Sequence, residues 1–159
     1  MTTDTHEPNK PSHFKYILLK PRSAKALSAV SIAAMWLWFL LKLHLTDEQP
    51  GVQALVGLCA LIGLIGCIVM FLCTYNFVAN APASQLDERE LADRNAAYFK
   101  AYQYAVILLL VGYLGTDFLA RLFAFQVTPA VTQNFFLLGF MTVLITPATI
   151  LAWRDEDLD

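Results

Sequence analysis

Residues 84–123 read SQLDERELADRNAAYFKAYQYAVILLLVGYLGTDFLARLF, and this stretch decides the fold. Its first part is charged, three tyrosines follow, and the remainder is apolar. Ser84 predicts a helix start, because its hydroxyl can accept a backbone N–H while Asp87 reciprocates three residues later. One helix over the whole stretch would be roughly 60 Å long, about twice the hydrocarbon core of a bilayer. The apolar part, 101–123, is therefore predicted to cross a membrane, and the charged part, 84–100, to extend into the cytoplasm.

The composition is typical of an integral membrane protein. Of the 159 residues, 57% are hydrophobic and 15% are charged, and the mean hydropathy is +0.52. A soluble domain is usually about one-quarter charged. The apolar residues come in long runs, which predict three further spans at 24–45, 52–78 and 131–153. Because backbone groups in lipid must be hydrogen-bonded within their own segment, the predicted fold class is an all-α, four-helix transmembrane bundle.

The basic residues predict the orientation of this bundle. Nine of the eleven Lys and Arg residues fall on one side of the four spans, against Lys42 and Arg121 on the other. The positive-inside rule then places both termini in the cytoplasm, with the loop before the third span. The tail 1–23 includes a cationic, aromatic stretch that we expect to lie on the membrane surface. An acidic tail, 154–159, ends the sequence.

Small residues form a stripe on span two. They are spaced three or four positions apart, which lets another helix backbone come close. The stripe fits either packing against another span of the same chain or a homodimer interface. Its cysteines lie in one apolar run without a CxxC motif, so we expect neither a disulfide framework nor a zinc site. The stripe consists of Gly57, Cys59, Gly63, Gly66 and Cys67.

Ionisable and amide residues near the outer ends of the spans are the first candidate site. Asp117 and Arg121 lie four apart in span three, at a depth where charged groups cost a few kcal/mol and usually pair. They form either a local pair reaching the interface or a polar pocket together with His44, Gln133 and Asn134. A single histidine makes no metal or haem site, so neither a metal nor a cofactor is predicted.

Pro147 predicts a kink in span four. Proline removes one backbone hydrogen bond from a helix and clashes with the preceding turn. Thr142 or Thr146 can bond to the carbonyls that are freed. A gating hinge at Pro147 is the alternative interpretation.

The charged segment, defined here as residues 87–94, is the second candidate site. Its carboxylates do not all share one helix face, and no histidine or cysteine lies near them on the same side except in the tail, so catalysis is disfavoured and no catalytic residue is predicted. A rigid charged helix above the membrane is instead suited to protein docking. The chain also has no nucleotide-binding or hydrolase motif and no basic aromatic groove for nucleic acid. The docking residues are Asp87, Glu88, Arg89, Glu90, Asp93 and Arg94.

Two parts of the sequence resemble one family. The chain has LDERE at 86–90 and RNAAY at 94–98, and near its end Pro147 is followed by Ala152-Trp153 and RDED at 154–157. This pattern is similar to that of small uncharacterised four-span proteins of the bacterial inner membrane, with a DERE segment before the third span. The resemblance implies a bacterial inner-membrane location and supplies no activity.

Three functional hypotheses follow from the sequence. The first is a non-enzymatic accessory or scaffold subunit of a membrane complex, which docks through the charged extension of the third helix. The second is a small transporter or channel that uses the Asp117/Arg121 site, and the third is a membrane-embedded enzyme acting on lipid or quinone. The expected partners are the lipid bilayer and either another protein or further copies of the chain.

Overall fold

The computed structural model describes residues 16–44, 50–123 and 127–154, which form five α-helices and short connections. Four of the helices, α1, α2, α4 and α5, are long and apolar enough to cross a membrane. The predicted all-helical architecture with four apolar helices is therefore confirmed. A 3₁₀ turn, Ala83–Gln85, connects α3 to α4. The helices are α1 (Pro21–His44), α2 (Pro50–Phe71), α3 (Thr74–Asn80), α4 (Glu88–Phe123) and α5 (Pro129–Arg154).

Many buried positions hold small residues, whereas most of the large apolar side chains are exposed. Ser28 and Ser31 are fully buried, and their hydroxyls donate to carbonyls three and four residues earlier at 2.9 and 2.6 Å. Leu58 and Leu109, by contrast, are 55% and 57% exposed. Large apolar side chains gain nothing from burial when the surrounding solvent is hydrocarbon, while small residues let helices pack closely. This distribution is typical of a membrane-helix bundle.

Helix α5 lies at the centre of the bundle. It packs against α1, α2, α3 and α4, whereas α4 packs mainly on α5 and to a lesser extent on α3. Helices α1 and α2 form a second close pair. Helix α4 is therefore at the edge of the bundle, and much of its apolar surface is exposed.

Two glycines determine how closely α1 and α2 approach. A Cβ at Gly66 would overlap the side chain of Ser31, and a Cβ at Gly63 would overlap that of Met35. Gly57 is different, because it is exposed and a Cβ there would meet open space. The stripe thus packs against α1 of the same chain at Gly63, Gly66 and Cys67. Its buried members are Cys59, Gly63, Gly66 and Cys67.

The predicted span 52–78 is not one helix, because α2 ends at Phe71 and α3 begins at Thr74. The break coincides with an isolated β-bridge between Ile17 and Cys73. The N–H of Ile17 donates to the carbonyl of Leu72 at 3.1 Å, and its carbonyl accepts the N–H of Thr74 at 3.3 Å. The amide of Asn76 donates to the carbonyl of Phe71 at 2.7 Å. These bonds satisfy backbone groups that a continuous helix would otherwise pair.

The segment 16–20 lies beside α3. The ring of Tyr16 stacks on that of Phe77 with 4.5 Å between centroids. Pro21, predicted to end this stretch, is the first residue of α1, where its missing N–H costs no helical bond. The rest of the predicted surface segment and tail, residues 1–15, lies outside the described residues.

Helix α4 begins at Glu88, so the predicted start at Ser84 is wrong. Asp87 is the residue that caps it. Its carboxylate accepts the N–H of Glu90 at 2.7 Å, and its own N–H donates to the Glu90 carboxylate at 3.2 Å. Ser84 lies in the 3₁₀ turn, which the extended backbone of Leu86 separates from α4. The reciprocal pair bonds the N–H groups of Asp87 and Glu90 at the helix start, whereas Ser84 lies outside α4.

Helix α5 begins and continues through hydroxyl–backbone bonds. Thr128 accepts the N–H three residues later at 3.4 Å, immediately before the helix. Pro147 is buried within the helix, and the hydroxyl of Thr146 donates to the carbonyl of Thr142 at 2.6 Å. The helix is continuous from residue 129 to residue 154. A kink or hinge at Pro147 stays a prediction.

Candidate functional site

The charged segment lies at the end of the bundle where α1 and α4 begin and α2 and α5 end. We call this the basic end, because seven of the described cations belong to it, whereas Lys42 and Arg121 lie toward the opposite end. The seven are Lys20, Arg22, Lys25, Arg89, Arg94, Lys100 and Arg154.

Two charged side chains of the segment bind to other parts of the bundle. Asp93 Oδ1 lies 3.1 Å from Nη2 of Arg154, the last residue of α5. Arg94 Nη1 donates to the backbone carbonyl of Ala81 at 2.5 Å. Asp93 therefore holds α4 to α5, and Arg94 holds it to the chain that leaves α3.

One turn further along α4, a tyrosine and an alanine complete this attachment. The hydroxyl of Tyr98 donates to Oδ1 of Asn80 at 3.0 Å. Ala97 is fully buried and belongs to a small cluster with Ala79 and Leu151. The small alanine side chains let α4 come close to α3 and α5, so the first turns of α4 are fixed on two sides.

A recess of about 270 Å³ opens between the charged segment, α3 and α5. Its charged lining contains three carboxylates and two guanidinium groups, with a floor of Tyr75, Val78 and Leu151. An acidic recess with an apolar floor suits a basic side chain, whose stem can pack while its charge is paired. The charged lining is Asp87, Arg89, Glu90, Asp93 and Arg154.

The six predicted docking residues have two different roles. Four of them stabilise α4 and its position. Asp87 and Glu90 form the capping pair, Asp93 binds to α5, and Arg94 binds to Ala81. The side chains of Glu88 and Arg89 are exposed and make no hydrogen bond or ion pair with the residues that the structure describes. These two side chains remain available to a partner.

The first candidate site lies at the opposite end of the bundle. Asp117 and Arg121 belong to the last two turns of α4, Gln133 and Asn134 to the first two turns of α5, and His44 ends α1. Arg121 and Gln133 are exposed, and Asn134 is half-buried. The side chains of Asp117 and His44 lie outside the described residues. Their convergence, and the transporter hypothesis that needs it, stay predictions.

The thiols lie in the packed interior. Cys67 Sγ donates to Met35 Sδ at 3.1 Å, and Cys59 and Cys73 are buried as unoxidised cysteines. In the part of the chain that the structure describes, no three His, Cys, Asp or Glu side chains are grouped to hold a metal ion.

Sequence reasoning missed three of the groups that hold the charged segment. Arg154, which the sequence predicts as the first residue of the acidic tail, is the last residue of α5 and binds Asp93. Asn80 lies between the predicted span 52–78 and the predicted extension 84–100; it ends α3, accepts the hydroxyl of Tyr98 and donates to the carbonyl of Asn76 at 2.8 Å. Ala81 contributes only a backbone carbonyl, which no sequence pattern marks.

The charged segment is thus the candidate site that the structure describes most completely. It combines a capped helix start, bonds to α3 and α5, and exposed charges beside an acidic recess. Comparison of the chain with models of protein families, with curated proteins and with solved structures finds no match in any of the three.

Proposed function

We propose that the chain is a non-enzymatic accessory or scaffold subunit of a membrane complex, whose charged segment docks a protein with a basic surface. One observation carries this proposal: the exposed charges belong to a helix start that is bonded to two other helical elements. A surface already held in place loses little conformational entropy on binding. Charge complementarity then contributes specificity and a fast association rate.

The proposal places the four spans in the bacterial inner membrane, with both termini and the start of α4 in the cytoplasm. The concentration of cations at the basic end supports this orientation. The length of α4 supports the extension, because its 36 residues span about 54 Å and a hydrocarbon core is only about 30 Å thick. The resemblance at 86–98 supports a bacterial inner-membrane protein.

The chemistry of the segment supports a basic partner. Residues 87–94 contain four carboxylates and two guanidinium groups, so the formal charge is −4 + 2 = −2. Lys or Arg on the partner can enter the recess or pair with Glu88. A symmetric pair of copies that met through this segment would bring two acidic segments together, and these repel each other, so we favour a different protein.

Purification in mild detergent with quantitative mass spectrometry tests the proposal. We expect one companion protein at a fixed ratio, and at least a tenfold lower ratio after Glu88→Lys, which reverses an exposed charge without removing a cap. Gln53→Lys is the control, because it places lysine on an exposed site near the opposite end. A chain that runs alone, or a companion retained equally by Glu88→Lys, would contradict the proposal.

A further inference from the structure

A groove of about 600 Å³ runs along the bundle between α4 and α1. Helix α5 forms its floor, α4 forms one wall, and Ile32 of α1 contributes to the other. The groove exists because α4 packs on α5 and shares little contact with α1. The two outer helices therefore leave a strip of the central helix uncovered.

The lining of this groove changes from charged to apolar along its length. Lys100 and Arg154 lie at the basic end, and the rings of Tyr104 and Trp153 are close to them in sequence. Further along α4 the lining is apolar as far as Val111. From residue 100 to residue 111 the helix rises about 16 Å, which is about half of a hydrocarbon core. The groove therefore matches the depth of one lipid leaflet.

Two cations can reach a phosphate group at the charged end. Arg154 uses Nη2 toward Asp93, and the other donors of its guanidinium can bond to a second anion. Lys100 is exposed and makes no ion pair with any residue in the described ranges. Lys25 adds a third positive charge nearby, since its Nζ lies 6.0 Å from the ring of Trp153.

The threonine hydroxyls on the floor of the groove are hydrogen-bonded within α5 and need no water. Three threonines of α5 line the groove, and each hydroxyl donates to the carbonyl four residues earlier, at 2.8, 2.6 and 2.9 Å. With these donors satisfied inside the helix, the threonines offer an acyl chain a surface without unpaired O–H groups. The threonines are Thr142, Thr146 and Thr149.

We infer that the groove binds one anionic phospholipid. Its phosphate lies between Lys100 and Arg154, and one acyl chain follows α5 toward Val111. Two cations that converge on one phosphate give charge-assisted hydrogen bonds, and a zwitterionic headgroup adds its own cation to that site. The bound lipid fills the gap between α1 and α4 and ties α4 to the rest of the bundle.

Native mass spectrometry of the purified full chain tests this inference. The chain is mixed with phosphatidylglycerol and phosphatidylcholine that carry identical acyl chains. We expect one retained phosphatidylglycerol per chain, with at least a tenfold preference over phosphatidylcholine. Lys100→Gln, at an exposed position, should reduce this preference to less than threefold. Equal retention of both lipids, or no retained lipid, would overturn the inference.

Three control variants separate the groove from other effects. Lys42→Gln removes a cation near the opposite end and should leave the preference unchanged. Asp93→Asn removes the ion pair that holds α4 but keeps both groove cations, so it should also retain phosphatidylglycerol. Val143→Trp fills the half-buried floor and should release both lipids. A preference lost in Lys42→Gln, or a lipid that persists in Val143→Trp, would place the lipid elsewhere and contradict the inference.

Discussion

Gly66 lets α1 and α2 approach each other to the point where one added methyl group has no room. The Cβ of an alanine at this position would overlap the hydroxyl of Ser31, which is already bonded to its own helix. We expect Gly66→Ala to destabilise the bundle by about 1–3 kcal/mol, as overpacking of a close contact usually does. The measurement is the thermal unfolding midpoint in detergent, followed by circular dichroism.

Gly57→Ala is the matched control in the same helix. Its Cβ meets open space, and alanine favours a helix over glycine by up to about 1 kcal/mol. We therefore expect an unchanged or higher midpoint. Equal destabilisation by the two substitutions would show that the α1–α2 contact is not as close as described.

The cap at Asp87 gives a second prediction at the scale of the residue. Asp87→Ala removes the acceptor of the Glu90 N–H, and loss of such a cap typically costs about 1 kcal/mol. We expect faster amide hydrogen exchange in the first turn of α4. Ser84→Ala, in the 3₁₀ turn, should leave this exchange unchanged, and the opposite ranking would restore Ser84 as the cap.

The competition between these two caps explains why the sequence misplaced the helix start. Ser84 with Asp87, and Asp87 with Glu90, are both acceptable capping pairs by residue type and spacing. The choice depends on the extended backbone at Leu86, which the sequence does not reveal. The error is four residues, and it leaves the charged segment on the same helix.

At the scale of the element, the break between α2 and α3 depends on a residue far away in the chain. Ile17 bonds to Leu72 and Thr74, more than fifty positions later. The apolar run 52–78 contains no proline and no charged residue that would indicate a break. The break between α2 and α3 could therefore not be predicted from the sequence around it.

Ile17→Pro tests the role of this bridge. Proline removes the N–H that donates to the carbonyl of Leu72, so we expect α3 to loosen. Hydrogen exchange at the amide of Thr74 should become at least several-fold faster. Leu18→Pro is the control, because the side chain of Leu18 is 85% exposed. The residue before it, Ile17, has an extended backbone, which is compatible with a proline at the next position. Similar exchange in both variants and in the wild type would mean that the bridge does not hold α3.

At the scale of the whole molecule, the four long apolar helices were predictable apart from the break after Phe71, but their arrangement was not. Each long helix has its own apolar run, and Pro129 after Thr128 marks the start of the last one. The central position of α5 results from packing between all the helices and has no signature in a single segment. Both the recess beside the charged segment and the groove along α5 depend on that arrangement. The same limit applies to the pair Asp93–Arg154, which joins residues sixty-one positions apart.

The most direct test of the account is the side of the membrane that each end of the bundle faces. Ser84→Cys and Ala130→Cys introduce exposed thiols at the two ends, whereas Cys59, Cys67 and Cys73 are buried and serve as an unlabelled background. A membrane-impermeant maleimide is added to intact cells, and separately to sealed inverted vesicles. We expect residue 84 to react only in inverted vesicles and residue 130 only in intact cells. Labelling of both residues from one face, or of residue 84 in intact cells, would contradict a membrane-spanning bundle with a cytoplasmic charged segment.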